Sequence, residues 1–434
     1  MSDNNDPSQG RSRSQQSTSK NDDDKAKLVG GALTSKAKSS PTPSSLNASL
    51  ADRLRERAPD TSAEKEKLNS LFKQIKERGE QAIKNAQPLD AEAQQKVSSQ
   101  ITDIKRRFDT LIRDVKLTDI SNQIASLGAK TKKLPNDIQD IRSKGYAFKS
   151  YLENKSEVLQ DQWNQIDENI RLWIEQESAD LKGDLDEAES MVKKLTNTEA
   201  LTTVHEKVAN ELQPIIETLE KKVNSSEQYA RGLYDALSRE INQTSSELSK
   251  IKWALEKTNE AKFDRHPTEA VYMVAEAEWD DGKDKPDGFL FLTDQRLIFE
   301  QNEKTGKKLG LFGGKQTQEV LWESPINSVE EVTPENKGLL GSKDLIHLKF
   351  SSGAQYRDVT VEVKDDKAKI WAQHINRIKS GNVSNERAIE PDPELIKKLR
   401  EAPAECPVCG GTLGQLYAGQ VSIDCEYCGT SIKI

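Results

Sequence analysis

From Thr61 to about Lys262, apolar residues recur at intervals of three and four. Leu68, Phe72 and Ile75 make one such stripe, and Val97, Ile101, Ile104, Phe108, Leu111 and Val115 a second. A third joins Leu159, Trp163, Ile166, Ile170 and Trp173 to Leu181, Leu185, Ala188, Val192 and Leu195. The fourth runs from Leu201 through Val208, Leu212, Ile215, Leu219 and Val223 to Leu237, Ile241, Leu248, Ile251 and Leu255. Such spacing lines up one face of a helix, and that face is stable only against a partner helix. Thr61-x-x-Glu64 has the form of a capping box at the start of the first helix. Breaks are predicted near Pro88, near Gly128 to Pro135 and at Thr196-Asn197-Thr198, with Pro214 either kinking or opening the last helix. The expectation is about four helices over residues 59–264, two of them very long, packed as a bundle or coiled coil. A sixty-residue helix would span about 90 Å. Trp163, Trp173 and Trp253 fall at seam positions and are expected in the core.

After His266-Pro267 the period changes to alternation. Val271, Met273 and Ala275 alternate with other residues, and Gly288 to Phe299 reads as strand, turn, strand. Val320-Leu321-Trp322, Ile326 to Val332, Asp344 to Phe350 and Val359 to Val363 follow as further short strands. Strands of this length with turn signals between them predict an antiparallel sheet that curls or closes. Ala368, Ile370, Trp371, Ile375 and Ile378 then mark an amphipathic helix, with Trp371 plugging one end of the sheet. Residues 381–402 read as a polar linker with a short helix at Pro393 to Arg400, leaving residues 403–434 on a tether.

Gly288-Phe289-Leu290-Phe291-Leu292-Thr293-Asp294-Gln295-Arg296-Leu297-Ile298-Phe299 resembles the G-x-L-x-L-T-x-x-R-L-I-F signature of GRAM and bacterial pleckstrin-homology-like domains. The stretch from Trp322 to Ile326 and the closing helix fit the same pattern, over residues 268–380. The resemblance implies a pleckstrin-like antiparallel β-barrel with a C-terminal helix, and a docking role towards lipid or protein. Members that bind phosphoinositides often carry basic residues in the first hairpin loop. Here that loop, Asp280 to Asp287, is net acidic, which argues against the usual lipid pocket.

Composition refines this picture. The chain has 434 residues, is 31% charged and only 5% aromatic, so several unlike domains are expected rather than one core. Residues 1–58 are rich in Ser, Asn, Asp, Gln and Lys and are expected to form a disordered tail. The net charge of −8 disfavours nucleic acid as the main partner. No run approaches a transmembrane span, and no apolar export segment follows Met1.

The cysteines carry the clearest chemistry. All four lie near the C-terminus, as Cys406-Pro-Val-Cys409 and Cys425-Glu-Tyr-Cys428. Four thiolates at this spacing close a tetrahedral shell around Zn2+, which then has no open position for a substrate water. The metal is therefore expected to be structural. Disulfides are the rival reading, disfavoured in a chain with no export signal. With Cys-Pro-x-Cys-Gly-Gly and Cys-x-Tyr-Cys-Gly intact, this tail resembles a zinc ribbon. Lys433 is the one lysine near the knuckles, so protein contact is favoured over nucleic acid.

The candidate docking loop runs from Lys304 to Lys315. Lys304, Lys307, Lys308 and Lys315 flank Leu311 and Phe312, a combination suited to an anionic membrane surface or to a partner protein. Lys337 to Lys343 is a weaker companion. Gly314-Lys315 is no phosphate-binding P-loop, since Leu309 and Gln316 stand where Gly and Ser or Thr are needed. The histidines at 205, 266, 347 and 374 are scattered, and no catalytic constellation assembles. The expected function is a non-enzymatic cytoplasmic scaffold or adaptor, able to self-associate through its helices. The alternatives are a peripheral membrane-organising protein and a nucleic-acid-associated factor acting through the ribbon.

Overall fold

The computed structural model describes residues 62–83, 86–196, 200–305, 315–338, 342–364 and 366–433, with backbone alone at 79–83, 304, 305 and 315. The expected N-terminal tail and the tip of the Lys304 to Lys315 loop lie outside these residues.

Among the described residues, five helices come first: α1 (Ser62–Ile83), α2 (Ala91–Asp114), α3 (Thr118–Ser143), α4 (Tyr151–Thr196) and α5 (Thr203–Glu260). At 1.5 Å per residue, α5 extends about 87 Å and α4 about 69 Å. Helix α5 is the spine, and α1, α2, α3 and α4 all pack on it. Leu212, Ile215, Leu219 and Ile241 are wholly buried in its seam, facing Ile170, Leu181 and Ala188 of α4 in one continuous core. Within this seam sit two polar contacts. Lys222 pairs with Asp184 at 2.5 Å, and Ser226 donates to Glu177 at 2.6 Å.

The break predicted between Gly128 and Pro135 is absent, because α3 runs straight through both. Gly128 serves close packing instead, since a Cβ there would sit 3.1 Å from the Trp163 indole nitrogen. Pro214 likewise lies inside an unbroken α5. The chain turns elsewhere. Leu117, with φ 48°, separates α2 from α3, and Gly145 (φ 88°) and Lys149 (φ 58°) separate α3 from α4. Trp163 is buried as expected, whereas Trp173 and Trp253 are only partly covered, against Tyr229 and Phe289.

Seven antiparallel strands follow: β1 (Val271–Asp280), β2 (Asp287–Thr293), β3 (Arg296–Thr305), β4 (Lys315–Pro325), β5 (Val329–Lys337), β6 (Lys343–Phe350) and β7 (Asp358–Val363). Their order in the sheet is β4-β3-β2-β1-β7-β6-β5, and helix α6 (Ala368–Lys379) packs on β5 and β6. The expected closed barrel is an open sheet by hydrogen bonding, since β4 and β5 form its two edges. It nevertheless curls. Trp322 on β4 meets Phe350 on β6 with ring centroids 6.2 Å apart, where five flat strand spacings would leave about 24 Å. Pro325 and a 3-10 turn at Ile326–Ser328 carry the chain from β4 to β5, so the strand expected from Ile326 begins only at Val329. Trp371 is fully buried, but Ile370, expected on the same face, is 42% exposed.

Strand β1 departs from simple alternation: Val271, Tyr272, Val274, Ala275, Ala277 and Trp279 are all buried. The reason is a second cover. Ala254 and Trp253 of α5, with Phe263, pack on Val271, Val274, Phe291 and Ile298 from the side away from the sheet's own core. The helices and the sheet therefore share a buried interface.

Candidate functional site

The strongest chemical cluster is at the C-terminus. The Sγ atoms of Cys406, Cys409, Cys425 and Cys428 all lie within 4.8 Å of one another. Cys406 and Cys428 are 3.7 Å apart, and Cys409 and Cys425 are 3.6 Å apart. A disulfide would bring two sulfurs to about 2.05 Å. A tetrahedron with 2.3 Å metal–sulfur bonds has edges of about 3.8 Å. The donor set thus fits one tetrahedral, thiophilic metal ion and excludes the disulfide reading.

Two matching turns build this cluster. In the first, Gly410 N–H donates to the Cys406 carbonyl at 2.8 Å and Cys406 N–H to Gly411 at 2.7 Å. In the second, Gly429 donates to Cys425 at 2.8 Å and Cys425 to Thr430 at 2.9 Å. Gly410 and Gly429 both take φ near 73°, a left-handed conformation that side chains resist. Gly411 has a different reason to be glycine: a Cβ would strike the Tyr427 ring at 2.4 Å. Hydrogen bonds to Thr430 pull the Cys428 thiol down to about 6, whereas at Cys409 the Gly411 hydrogen bond is outweighed by the neighbouring sulfurs, which push that thiol up to about 12, the split of thiols that share one site. A hairpin forms across the second cysteine pair, as β8 (Ser422–Asp424) and β9 (Ser431–Lys433). Its register is set by the knuckle itself, which brings the flanking residues together.

The ribbon also touches the rest of the chain. Ala418 N–H donates to the Arg265 carbonyl at 2.7 Å, and the Tyr417 ring lies 6.1 Å from His266. Residues 384–389, expected as free linker, pack down as well. Ala388 N–H donates to Ala147 at 2.7 Å, Glu386 accepts from Ser150 N–H at 3.0 Å, and Arg387 lies over the Phe148 ring while pairing with Asp294.

These contacts converge on the α3–α4 turn. Arg142 donates to the carbonyls of Tyr146, Phe148 and Lys149 and pairs with Glu153 at 2.7 Å, which stiffens the turn. Tyr146 is buried and donates to the Tyr272 carbonyl of β1. Phe148 packs edge-on to the Tyr272 ring, which lies 5.1 Å from His374 of α6. Burial pushes the His374 imidazole down to about 4, so it is neutral at ordinary pH. Lys149 and Tyr151 both reach Glu247 of α5 at 2.6 Å. The turn is thus wedged between the sheet, α5 and α6, a junction the sequence reading missed.

The polar residues of the Gly288 to Phe299 signature hold the fold. Gly288 faces the β3 backbone, where a Cβ would lie 2.0 Å from the Glu300 carbonyl oxygen. Thr293 Oγ accepts from the N–H groups of Gln295 and Arg296, closing the β2–β3 turn. Buried Arg296 pairs with buried Glu269 at 2.8 Å, reaches Glu323, and donates to the Asp264 carbonyl. Burial alone would raise the Glu269 carboxyl, but Arg296, Thr293 and the His266 N–H together hold it below its usual range. Asp294 stays raised, because burial outweighs the Ala270 N–H and Arg387.

The candidate docking loop is placed only at its base. Lys304 is the next-to-last residue of β3 and Lys315 the first of β4, pairing with Gln316 and Thr305 in register. Lys307, Lys308, Leu311 and Phe312 lie outside the described residues. In the acidic β1–β2 hairpin, Lys285 is already paired with Asp280 at 3.0 Å. His205 belongs to the cap of α5 with Thr202, and His347 bridges Thr360 and Glu335. Among the described helices, none is long and apolar enough to cross a membrane.

Neither a protein-family model nor a curated protein matches this chain. Solved structures similar to it include the N-terminal PH domain of Vps36, 14% identical, covering 28% of this chain and 95% of that one at a TM-score of 0.20. A pleckstrin homology domain from Shewanella amazonensis is 18% identical, covering 30% and 97%, at 0.19. The DH/PH domains of PDZ-RhoGEF, solved in complex with activated RhoA, are 11% identical, covering 63% and 94%, at 0.26. Scores this low carry no argument about function, and the PH-like reading of the sheet rests on its own strand order, closing helix and signature residues.

Proposed function

We propose that this chain is a non-enzymatic scaffold or adaptor, in which the helices present a PH-like docking domain and a zinc ribbon to protein partners. The observation that carries this reading is the wedge at Tyr146, Phe148 and Lys149. It fixes the PH-like sheet to α5 and α6 through buried contacts, as suits a part that transmits position rather than one that opens around a substrate. Zn2+ is the metal best suited to four thiolates at tetrahedral spacing, and its role would be to fold the ribbon. A thiolate site fits a reducing compartment, so a cytoplasmic location goes with this reading.

Crosslinking capture compares the full chain with a version ending at Glu401. Partners lost on truncation are assigned to the ribbon, and partners retained by both are assigned to the helices and PH-like sheet. A chain that captures nothing reproducibly in either form, or that turns over a substrate, defeats the scaffold reading. Liposome sedimentation tests the membrane alternative. Salt-sensitive binding to anionic vesicles that disappears in a Lys307→Ala, Lys308→Ala, Phe312→Ala variant would replace a protein partner with lipid.

A further inference from the structure

A cavity of about 1020 Å3 opens where the second half of α1 meets the end of α4 and the start of α5. It lies about 70 Å along α5 from the sheet contact at Trp253. Its size is at the top of the range for small-molecule sites, about 300–1,000 Å3. Phe72, Ile75 and Leu195 are buried and form an apolar floor, with half-buried Met191, Val204 and Val208 beside them. Ala86 and Thr202, beside the helix ends, line one end of it. Thr203 N–H donates to the Gln87 carbonyl at 3.0 Å and Pro88 bridges Thr202, so the end of the groove is tied by paired backbone.

The rim has a definite charge. Among the described residues around the opening, Lys73 and Lys76 are exposed on the α1 side, and Glu187 carries the one carboxylate. Lys73 and Lys76 are three residues apart on α1 and so share a face. An apolar floor beneath clustered ammonium groups suits a ligand with one long hydrocarbon body and one anionic head. We infer that this cavity binds a single-chain anionic amphiphile, its acyl chain along Phe72, Leu195 and Val208 and its head beside Lys73 and Lys76. A carboxylate and a phosphate monoester would satisfy the same lysines. The site is far from the docking sheet and the ribbon, so it stands whether or not the scaffold reading does.

The test titrates cis-parinaric acid, a fluorescent fatty acid, into the full-length protein. Saturable binding is expected. Val208→Trp fills the cavity and should weaken binding at least about tenfold, with Met191→Phe as a second, milder block. Lys73→Ser with Lys76→Ser should weaken the acid about tenfold while leaving the matching fatty alcohol unchanged. Circular dichroism melts establish that each variant is folded. Displacement of the probe by oleate or by lysophosphatidic acid, whichever acts at the lower concentration, tells a carboxylate head from a phosphate head. The proposal is overturned if the full-length protein shows no saturable binding. It is equally overturned if folded cavity-filled variants bind as well as the parent, or if the alcohol binds as tightly as the acid.

Discussion

The α4–α5 seam and the four-cysteine ribbon are held by different forces. Along the seam, Ile170, Leu181, Leu212, Ile215 and Leu219 lose all contact with water. Each contributes the transfer free energy of a large apolar side chain, about 1.5–3 kcal/mol before entropy is counted. In the ribbon, by contrast, the buried core is Cys406, Cys425 and Ile432 alone. Val408, Val421 and Tyr427 stand 68–77% exposed. So little burial cannot offset the ordering of about thirty residues. On the reading proposed above, a metal held by the four sulfurs supplies the difference, so that one part of the chain folds by exclusion of water and the other by coordination.

The largest expected effect separates the two parts. Chelation, or Cys425→Ser, removes a metal-binding contribution on the order of 10–16 kcal/mol. The ribbon should unfold, read as loss of bound metal and as rapid proteolysis after Glu401, while the helical melting transition stays in place. A melt that shifts as a whole would mean that the two parts fold as one.

Within the water-excluding part, the most sensitive point is polar. Glu269→Leu leaves Arg296 buried without its main partner and should cost about 3–5 kcal/mol in the unfolding of the sheet. Chemical denaturation of that variant checks it. Gly128→Val probes the seam itself. The added methyls press on Trp163, and a cost of about 1–3 kcal/mol is expected in the same measurement. Tyr146→Phe removes one hydrogen bond across the wedge, for about 1 kcal/mol. Its effect should appear as faster amide exchange around Tyr272.

The smallest effect is a pH dependence. His374 is held at about 4 when folded, below its unfolded value of about 6.5. Its stabilising contribution is therefore complete above about 6.5 and is lost as pH falls from there towards 4. His374→Leu should flatten that part of the melting-temperature profile relative to the parent. A profile identical in both proteins would free the wedge of any role for this proton.

How much of this was legible in the sequence differs by part. The four-cysteine cluster could be read from the sequence because two knuckles of fixed spacing each specify their own geometry, and sulfur distances of 3.6 and 3.7 Å bring the thiols to one point. The signature glycine and arginine pointed to the right strands, yet their roles, facing the Glu300 backbone and pairing with Glu269, depended on chain segments far away in sequence. Helix α3 was missed because Gly128 and Pro135 are local breakers, whereas burial of Ile120, Ile124, Leu134 and Ile138 in the shared core, with Gly128 close against Trp163, keeps the helix whole.

By itself, the sequence determined periodicity and ligand spacing: helical stripes, alternating strands and four thiolates, all properties of neighbours along the chain. The tertiary structure alone decided which faces are covered twice, as β1 is, where the α3–α4 turn lodges, and that the curled sheet stays open at its edges. The physical reason is that burial is a property of surfaces brought together from distant residues, such as Tyr146 and Tyr272, and no local pattern encodes the partner that will exclude the water.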